Sequence, residues 1–451
     1  MKQRLVVIGN GMAPGRALDG LFEKKPDAYD VTIFNAEPRV NYDRIMLSPI
    51  LSGEKSFGQI VIHGDGWYEK HGVTLHKGAT VTAIDRTAKT VTSARGLTVA
   101  YDKLIIATGS VPIILPVPGH KLAGVLTYRD LDDVQAMLLA AKSRGSAIVI
   151  GGGLLGLEAA VGLKDQGMDV TVIHLASTLM ERQLDAPSGH LLQRAIEARG
   201  IKVLTKASTK AILGEKKVEA LLLDDGTRLP ADLIVMAVGI KPNAGIAKSA
   251  GLATGRGITV SPSMQTSDPD IYALGECAEF EGQVFGLVAP LYDMAGVLAA
   301  HLAGDTTPQF APSAVATKLK VTGIELFSAG DFAQGPDREE IVFQDPACGV
   351  YKRLVLRHNK IIGAVLYGDT SDGAWFFDLL KQATDVSDQR DTLIFGPGFL
   401  GSAVAGLTVA TAAASLISPA PVVPAPSHEP LVGRYTGLNT DKLLRAAPVP
   451  G

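Results

Sequence analysis

Cysteine is nearly absent: 451 residues contain only Cys277 and Cys348. That scarcity excludes a disulfide framework, a zinc or iron–sulfur site built from four cysteines of this chain, and a CxxC redox pair. No sign of charge dominates, with 43 Lys and Arg against 46 Asp and Glu, so a bulk nucleic-acid partner is excluded. The amino terminus lacks a long apolar run. Leu5-Val6-Val7-Ile8 stops at Gly9-Asn10-Gly11, too short for a secretory core, and with so few cysteines the expected compartment is the cytoplasm. Disorder over the whole length is excluded by a hydrophobic share of 46% and a charged share of 20%. Glycine is what the chain has in excess: 49 residues, about 11% against a usual ~7%, which points to tight backbone turns.

Residues 392–427 carry no formal charge. Their centre, 399–418, is long enough to span a membrane, but Ala, Gly, Ser and Thr dominate it and insert weakly. A packed or loosely ordered helix is the expectation, with no membrane partner. Pro419, Pro421, Pro424, Pro426 and Pro430 then read as an extended linker or tail, so 398–451 is set apart as an apolar segment and Pro-rich tail.

The apolar run at 4–8 reads as a buried strand. A Gly9-x-Gly11 turn follows it, then a helix to about Lys24 and a second strand at 30–34, which together form a βαβ unit. The same unit returns about 142 residues later, with a strand at 146–150, the turn Gly151-x-Gly153-x-x-Gly156, a helix at 157–166 and a strand at 170–175. Two short strands end in glycine, at Ala107-Thr108-Gly109 and at Val238-Gly239. Beyond about 310 the pattern changes to closely spaced strands, a smaller α+β domain that ends near Phe395.

These turns have a chemical use. A dinucleotide needs its pyrophosphate approached by bare backbone, with helix N–H groups and the positive helix end facing it. The second turn meets this in full, with Leu154 and Leu155 inside it, between Gly153 and Gly156. In the first turn Met12 and Ala13 follow Gly11, and Pro14 takes the third glycine position, where proline is tolerated because it falls in the first helical turn. A ribose-binding acid belongs at the end of the second strand. Glu37 is the candidate in the first unit, followed by Pro38. The matching residue of the second unit is His174, and loss of the acid opens that site to NADPH as well as NADH. The stretch 266–276 reads as a turn, a short strand and an acid, Glu276, after Gly275 at a helix N-terminus.

The ordered set Gly9-x-Gly11, Ala107-Thr108-Gly109, Gly151-x-Gly153-x-x-Gly156, Val238-Gly239 and Gly275-Glu276 resembles the FAD-dependent pyridine nucleotide-disulfide oxidoreductase superfamily. The segments Glu37-Pro38-Arg39-Val40-Asn41-Tyr42-Asp43-Arg44, Met180-Glu181-Arg182-Gln183-Leu184-Asp185, Phe285-Gly286-Leu287-Val288-Ala289-Pro290 and Gly368-Asp369-Thr370-Ser371-Asp372 narrow the match. They are similar to the FAD module of assimilatory NAD(P)H-nitrite reductase large subunits and of nitrate reductase electron-transfer subunits. The similarity covers roughly residues 1–397.

The resemblance implies an α/β fold with two Rossmann-like dinucleotide-binding domains arranged as in glutathione reductase, plus a small α+β C-terminal domain. FAD would take 1–112 with 241–310, NADH or NADPH would take 113–240, and 311–397 would form the C-terminal domain. Arg44 and Glu37 would hold the adenosine–pyrophosphate end of FAD. Glu276, where most relatives have Asp, would hold the ribityl chain. Arg129 and Glu158 would stand at the flavin–nicotinamide junction as the catalytic pair, and Pro290 would begin a helix aimed at the flavin pyrimidine edge. No metal site is implied.

The cysteine-rich iron–sulfur and sirohaem parts of long relatives find no counterpart here, so the expected partner is a separate redox protein carrying an iron–sulfur, sirohaem or molybdenum centre. The oligomeric state stays open, a homodimer included. Residues 41–50 contain no cysteine, which excludes the redox centres of disulfide reductases and NADH peroxidases. Ferredoxin or rubredoxin reductases and a non-catalytic FAD-binding scaffold remain as alternatives.

Overall fold

The computed structural model describes residues 2–319 and 323–399, which fall into two compact units, one through Glu325 and one from Leu326. In the first unit, ten strands build two parallel sheets. They are β1 (Gln3–Ile8), β2 (Tyr29–Asn35), β3 (Thr74–Lys77), β4 (Lys103–Ile106), β5 (Val125–Thr127), β6 (Ser146–Ile150), β7 (Asp169–Ile173), β8 (Lys202–Leu204), β9 (Leu233–Met236) and β10 (Ile271–Ala273). The helices that matter are α1 (Met12–Lys24), α2 (Leu47–Ser52), α3 (Leu154–Asp165), α4 (Ala186–Ala198) and α5 (Val288–Leu302).

The sheets have orders β10-β4-β1-β2-β3 and β5-β9-β6-β7-β8, all neighbours parallel. Each is a Rossmann half whose middle strand, β1 or β6, is the one that leads into the glycine turn. Strands such as Leu104-Ile105-Ile106 are apolar at every position because both faces are covered, and all three side chains are fully buried. The sequence repeat extends to single hydrogen bonds. Gly9 N–H donates to Phe34 O as Gly151 N–H does to Ile173 O, and Ala107 N–H donates to Ile8 O as Ala237 N–H does to Ile150 O, all at 2.8 Å.

The chain passes from the first sheet to the second and back along adjacent tracks. Ser110–Pro112 and Ile240–Pro242 pair antiparallel, with Val111 opposite Lys241. The second unit contains β11 (Leu326–Gly330), β12 (Glu339–Asp345), β13 (Val350–Arg357), β14 (Lys360–Tyr367) and α6 (Gly373–Gln382). Its strands run antiparallel in the order β11-β14-β13-β12, and Phe376 and Leu379 of α6 are buried.

Three expectations on element ends need correction. The second helix starts at Leu154, not Leu157, because Gly153 already serves as its N-cap. Glu276 sits in a turn that leads to another short strand, not at a helix N-terminus. Pro290 is the third residue of its helix, which begins at Val288. Among the described residues no helix is long and apolar enough to cross a membrane. The uncharged run from 400 onward and the Pro-rich tail lie outside the described residues.

Candidate functional site

A cleft of about 980 Å³ opens along the carboxyl ends of the first sheet. Gly9, Gly11, Met12 and Ala13 line it from the β1–α1 turn, Glu37 and Arg44 from beyond β2, and Ala107, Thr108 and Gly109 from beyond β4. Arg129, Gly275 and Glu276 close it from the far side. Pro38 and Pro290 are not on its wall, whereas Val288 and Leu291 of α5 are. The late segment therefore reaches the cleft through the helix start, two residues before the proline.

The turn is shaped for backbone approach. Gly9 has φ +111°, and a Cβ there would meet Ala107 O at 2.2 Å; the second turn repeats this, with Gly151 at +123° and Ala237 O at 2.2 Å. Gly11 and Gly153 are the N-caps of α1 and α3, and neither helix has a side-chain cap or an acid in its first turn. The helix at Leu131–Ala141 and α4, by contrast, are capped by Asp130 and Asp185. Uncapped N–H groups on two buried-strand turns are what a pyrophosphate would satisfy. Pro14, in the first turn of α1, does not disturb the helix.

The charged residues form a chain across the cleft. Glu37 is ion-paired with Arg44, accepts from Tyr42 Oη at 2.8 Å and lies 3.8 Å from Arg39 Nη1. Burial pushes the Tyr42 phenol up, so it stays a donor to this carboxylate. Arg44 Nη1 donates to Arg129 O at 3.3 Å. Arg129 in turn is ion-paired with Glu276, which also accepts from Ser110 Oγ at 2.9 Å.

Several supports had no sequence signal. Fully buried Asn41 donates from Nδ2 to Asn10 O at 3.1 Å and Gly11 O at 2.6 Å, bracing the glycine turn from outside. Tyr68 Oη accepts from Asn41 N–H at 3.1 Å and from Asn10 Nδ2 at 3.0 Å. Asn41 falls inside a segment singled out above, but nothing in the sequence shows that its amide points at residues 30 positions earlier.

The remaining candidates belong to the second sheet and lie off the cleft wall. Glu158, on α3, accepts from Ser48 Oγ of α2 at 2.5 Å, and Ser48 Oγ lies 3.0 Å from Tyr128 Oη. The second turn's helix is thereby fastened to the segment that carries Arg44. Val238 packs against the core of the second sheet, and Gly239 O accepts from Ile113 N–H at 2.9 Å where the chain crosses back. His174 follows β7 and is buried, with Gly152 N–H donating to its Nδ1 at 3.1 Å. Cys277 is buried against the first sheet, where burial pushes its thiol up and removes it from thiolate chemistry. Cys348 is exposed in the second unit.

Residues 3–317 match the pyridine nucleotide-disulphide oxidoreductase family, and 316–384 match the rubredoxin NAD+ reductase C-terminal domain. The chain belongs to the pyridine nucleotide-disulphide oxidoreductase family. That family binds FAD and NAD(P)H. Among curated relatives, the chain is similar to nitrite reductase [NAD(P)H] of Bacillus subtilis, 47% identical over 396 residues, which are 88% of this chain and 49% of that protein. It is also 44% identical over 393 residues to the assimilatory nitrate reductase electron transfer subunit of the same organism, covering 87% of this chain and 51% of that one. The chain spans about half the length of these relatives. The crystal structure of NADH:rubredoxin oxidoreductase from Clostridium acetobutylicum superposes with TM-score 0.71 at 29% identity, over 86% of this chain and 97% of that one.

In a member of this family the two uncapped turns fit the two dinucleotides, one each. The fit rests on the bare approach at Gly9 and Gly151, on the free helix starts, and on a cleft volume suited to a large ligand.

Proposed function

We propose that this chain is an FAD-dependent NAD(P)H oxidoreductase that passes electrons from a nicotinamide cofactor to a separate redox protein in nitrite or nitrate assimilation. One observation carries the reading: two matched glycine turns with uncapped helices share one compact unit, and Glu158 of the second is fastened to Ser48, beside the Arg44 segment of the first. The FAD part takes 1–112 with 241–310, the nucleotide part 113–240, and 311–397 the C-terminal domain. The paired crossings at Ser110–Pro112 and Ile240–Pro242 support the inner boundaries.

When bound, FAD supplies hydride acceptance and stepwise electron release. The protein's work is placement. Gly9, Gly11, Met12 and Ala13 would present backbone to the pyrophosphate, and Glu37, set by Arg44 and Tyr42 and followed by Pro38, would take the adenosine ribose. Glu276, held by Arg129, faces the ribityl chain. Ala107, Thr108 and Gly109 line the cleft beyond β4, and Gly275 lines it beside Glu276. Gly151, Gly153, Leu154, Leu155 and Gly156 receive the second pyrophosphate, with His174, Val238 and Gly239 around it. Arg129, on the cleft wall, and Glu158, on the second turn's helix, would border the junction of the two ligands, and the start of α5 ahead of Pro290 turns its positive end toward the cleft.

The partner is a protein with an iron–sulfur, sirohaem or molybdenum centre, and the compartment is the cytoplasm. A second reading, reductase for a rubredoxin or ferredoxin, is favoured by the match of 316–384 to a rubredoxin reductase C-terminal domain. Stopped-flow mixing of the flavin-loaded chain with NADH and with NADPH tests the function. Bleaching of the flavin band on a catalytic timescale is expected. A flavin that binds but is bleached by neither would leave a scaffold as the correct reading.

A further inference from the structure

His174 stands where an acid would receive the ribose of the second nucleotide, yet its ring is already committed. It is 8% exposed, its Nδ1 accepts from Gly152 N–H at 3.1 Å, and its Nε2 lies 3.0 Å from Glu181 Oε2. With Nδ1 the acceptor, the hydrogen-bond pattern assigns the proton of a neutral ring to Nε2, where it donates to Glu181. Gly152, the residue between the two turn glycines, is gripped a second time: its carbonyl accepts from Met180 N–H at 3.0 Å. Met180 has φ +53°, a left-handed residue immediately ahead of Glu181. The packing leaves no room for another residue at 152, since a Cβ would come within 2.6 Å of Leu179 Cδ2 and 2.8 Å of His174 Cγ.

The loop from 174 to 181 is therefore tied to the nucleotide turn at both ends. It returns a carboxylate to the strand end from seven residues further along. The Glu181 side chain is 42% exposed where that of His174 is 10%, so the carboxylate and not the imidazole meets solvent. Leu175, directly after His174, is 73% exposed, an apolar side chain at the mouth of the same loop.

We propose that Glu181, oriented by His174, accepts the 2′-hydroxyl of the adenosine ribose and makes the second site selective for NADH over NADPH. The inference rests on the NAD(P)H oxidoreductase reading above. A carboxylate can accept from both ribose hydroxyls, whereas a 2′-phosphate brings about −1.5 to −2 further charge against it. Glu181 is the specificity residue and His174 a positioning residue that acts through it. The rival is Arg182, exposed and next in sequence, whose guanidinium would favour a 2′-phosphate.

The test compares kcat/KM for NADH and NADPH, with ferricyanide as acceptor, in the flavin-loaded wild type, Glu181→Gln and His174→Ala. The wild type is expected to prefer NADH, and Glu181→Gln to lower the NADH/NADPH ratio about tenfold, the scale of one charge pair near a surface. The loss for NADH should appear in KM, with a gain for NADPH. His174→Ala should shift the ratio in the same direction, and should add nothing once Glu181 is Gln. Because Glu181 is partly exposed, its variant folds even if the His174 variant does not. An unchanged ratio in Glu181→Gln overturns the inference, as does a wild type that prefers NADPH through Arg182, shown by loss of that preference in Arg182→Ala. A wild-type flavin that neither nucleotide bleaches overturns the functional reading instead.

Discussion

Glu276 and Arg129 meet on the far side of the cleft from residues 147 positions apart, and their side chains are only 14% and 19% exposed. Among the described residues neither has another ionic partner as close, so removing one leaves the other's charge partly buried. Arg129→Met should therefore cost about 2–3 kcal/mol of stability, somewhat below a fully buried pair. The expected measurements are a lower melting temperature and weaker retention of FAD on dilution. Arg129→Met combined with Glu276→Gln should recover most of the stability, because no charge is then left alone. At this scale the sequence was only half readable. Gly9, Gly151 and Glu37 announced themselves through position in a local pattern. The partners of Glu37, Arg129 and Glu158 did not, because Arg44, Glu276 and Ser48 are brought to them by the fold. His174 shows the limit most clearly: it looked like a missing acid, and its partner Glu181 is visible only once the loop is closed.

Among the elements, strand and helix identities followed from apolar runs and glycine turns, whereas their ends followed from caps that the sequence does not advertise. Leu154 begins its helix because Gly153 caps it through backbone geometry alone, and Glu276 lies in a turn because the chain enters another strand at Ala278. The Gly368–Asp372 segment gained a role only from the second unit's packing. Asp369 and Asp372 both reach Lys352, at 2.7 and 3.1 Å, and the Lys352 side chain is 6% exposed. The hydrogen bond from Lys352 holds the Asp369 carboxyl down, to about 2. A depressed carboxylate contributes stability above its unfolded value and loses it as pH falls through the folded one. The contribution should thus be whole above about pH 4 and gone near pH 2. Since Asp369 is 43% exposed, screening limits it to about 1 kcal/mol. Asp369→Asn should melt below the wild type at pH 7, and the two melting curves should converge as the pH is brought toward 2. A constant gap across that range would show that the clamp does not titrate.

For the whole molecule, the question is how far one chain carries the electrons. Its two cysteines are one buried against the first sheet and one exposed in the second unit. Two thiols cannot complete a cluster that needs four protein ligands. The purified 451-residue chain should therefore assay near zero for iron and acid-labile sulfide, reduce ferricyanide with NAD(P)H, and leave nitrite unchanged. Nitrite consumption by the pure chain would defeat the division of labour proposed above.

The antiparallel pairing of Ser110–Pro112 with Ile240–Pro242 makes the second sheet a cassette. Its two ends are neighbours across a ladder, Pro112 opposite Ile240, which is the spacing that an ordinary hairpin turn closes. Excising the intervening residues and joining Pro112 to Ile240 through Asn-Gly would leave the first sheet's five strands in register, because none of them is drawn from the excised span. The shortened protein should take up FAD more weakly than the parent, having lost Arg129, and its flavin should be indifferent to NADH. A transplanted cassette from another member of the family could enter by the same two seams, and with it a different nucleotide preference.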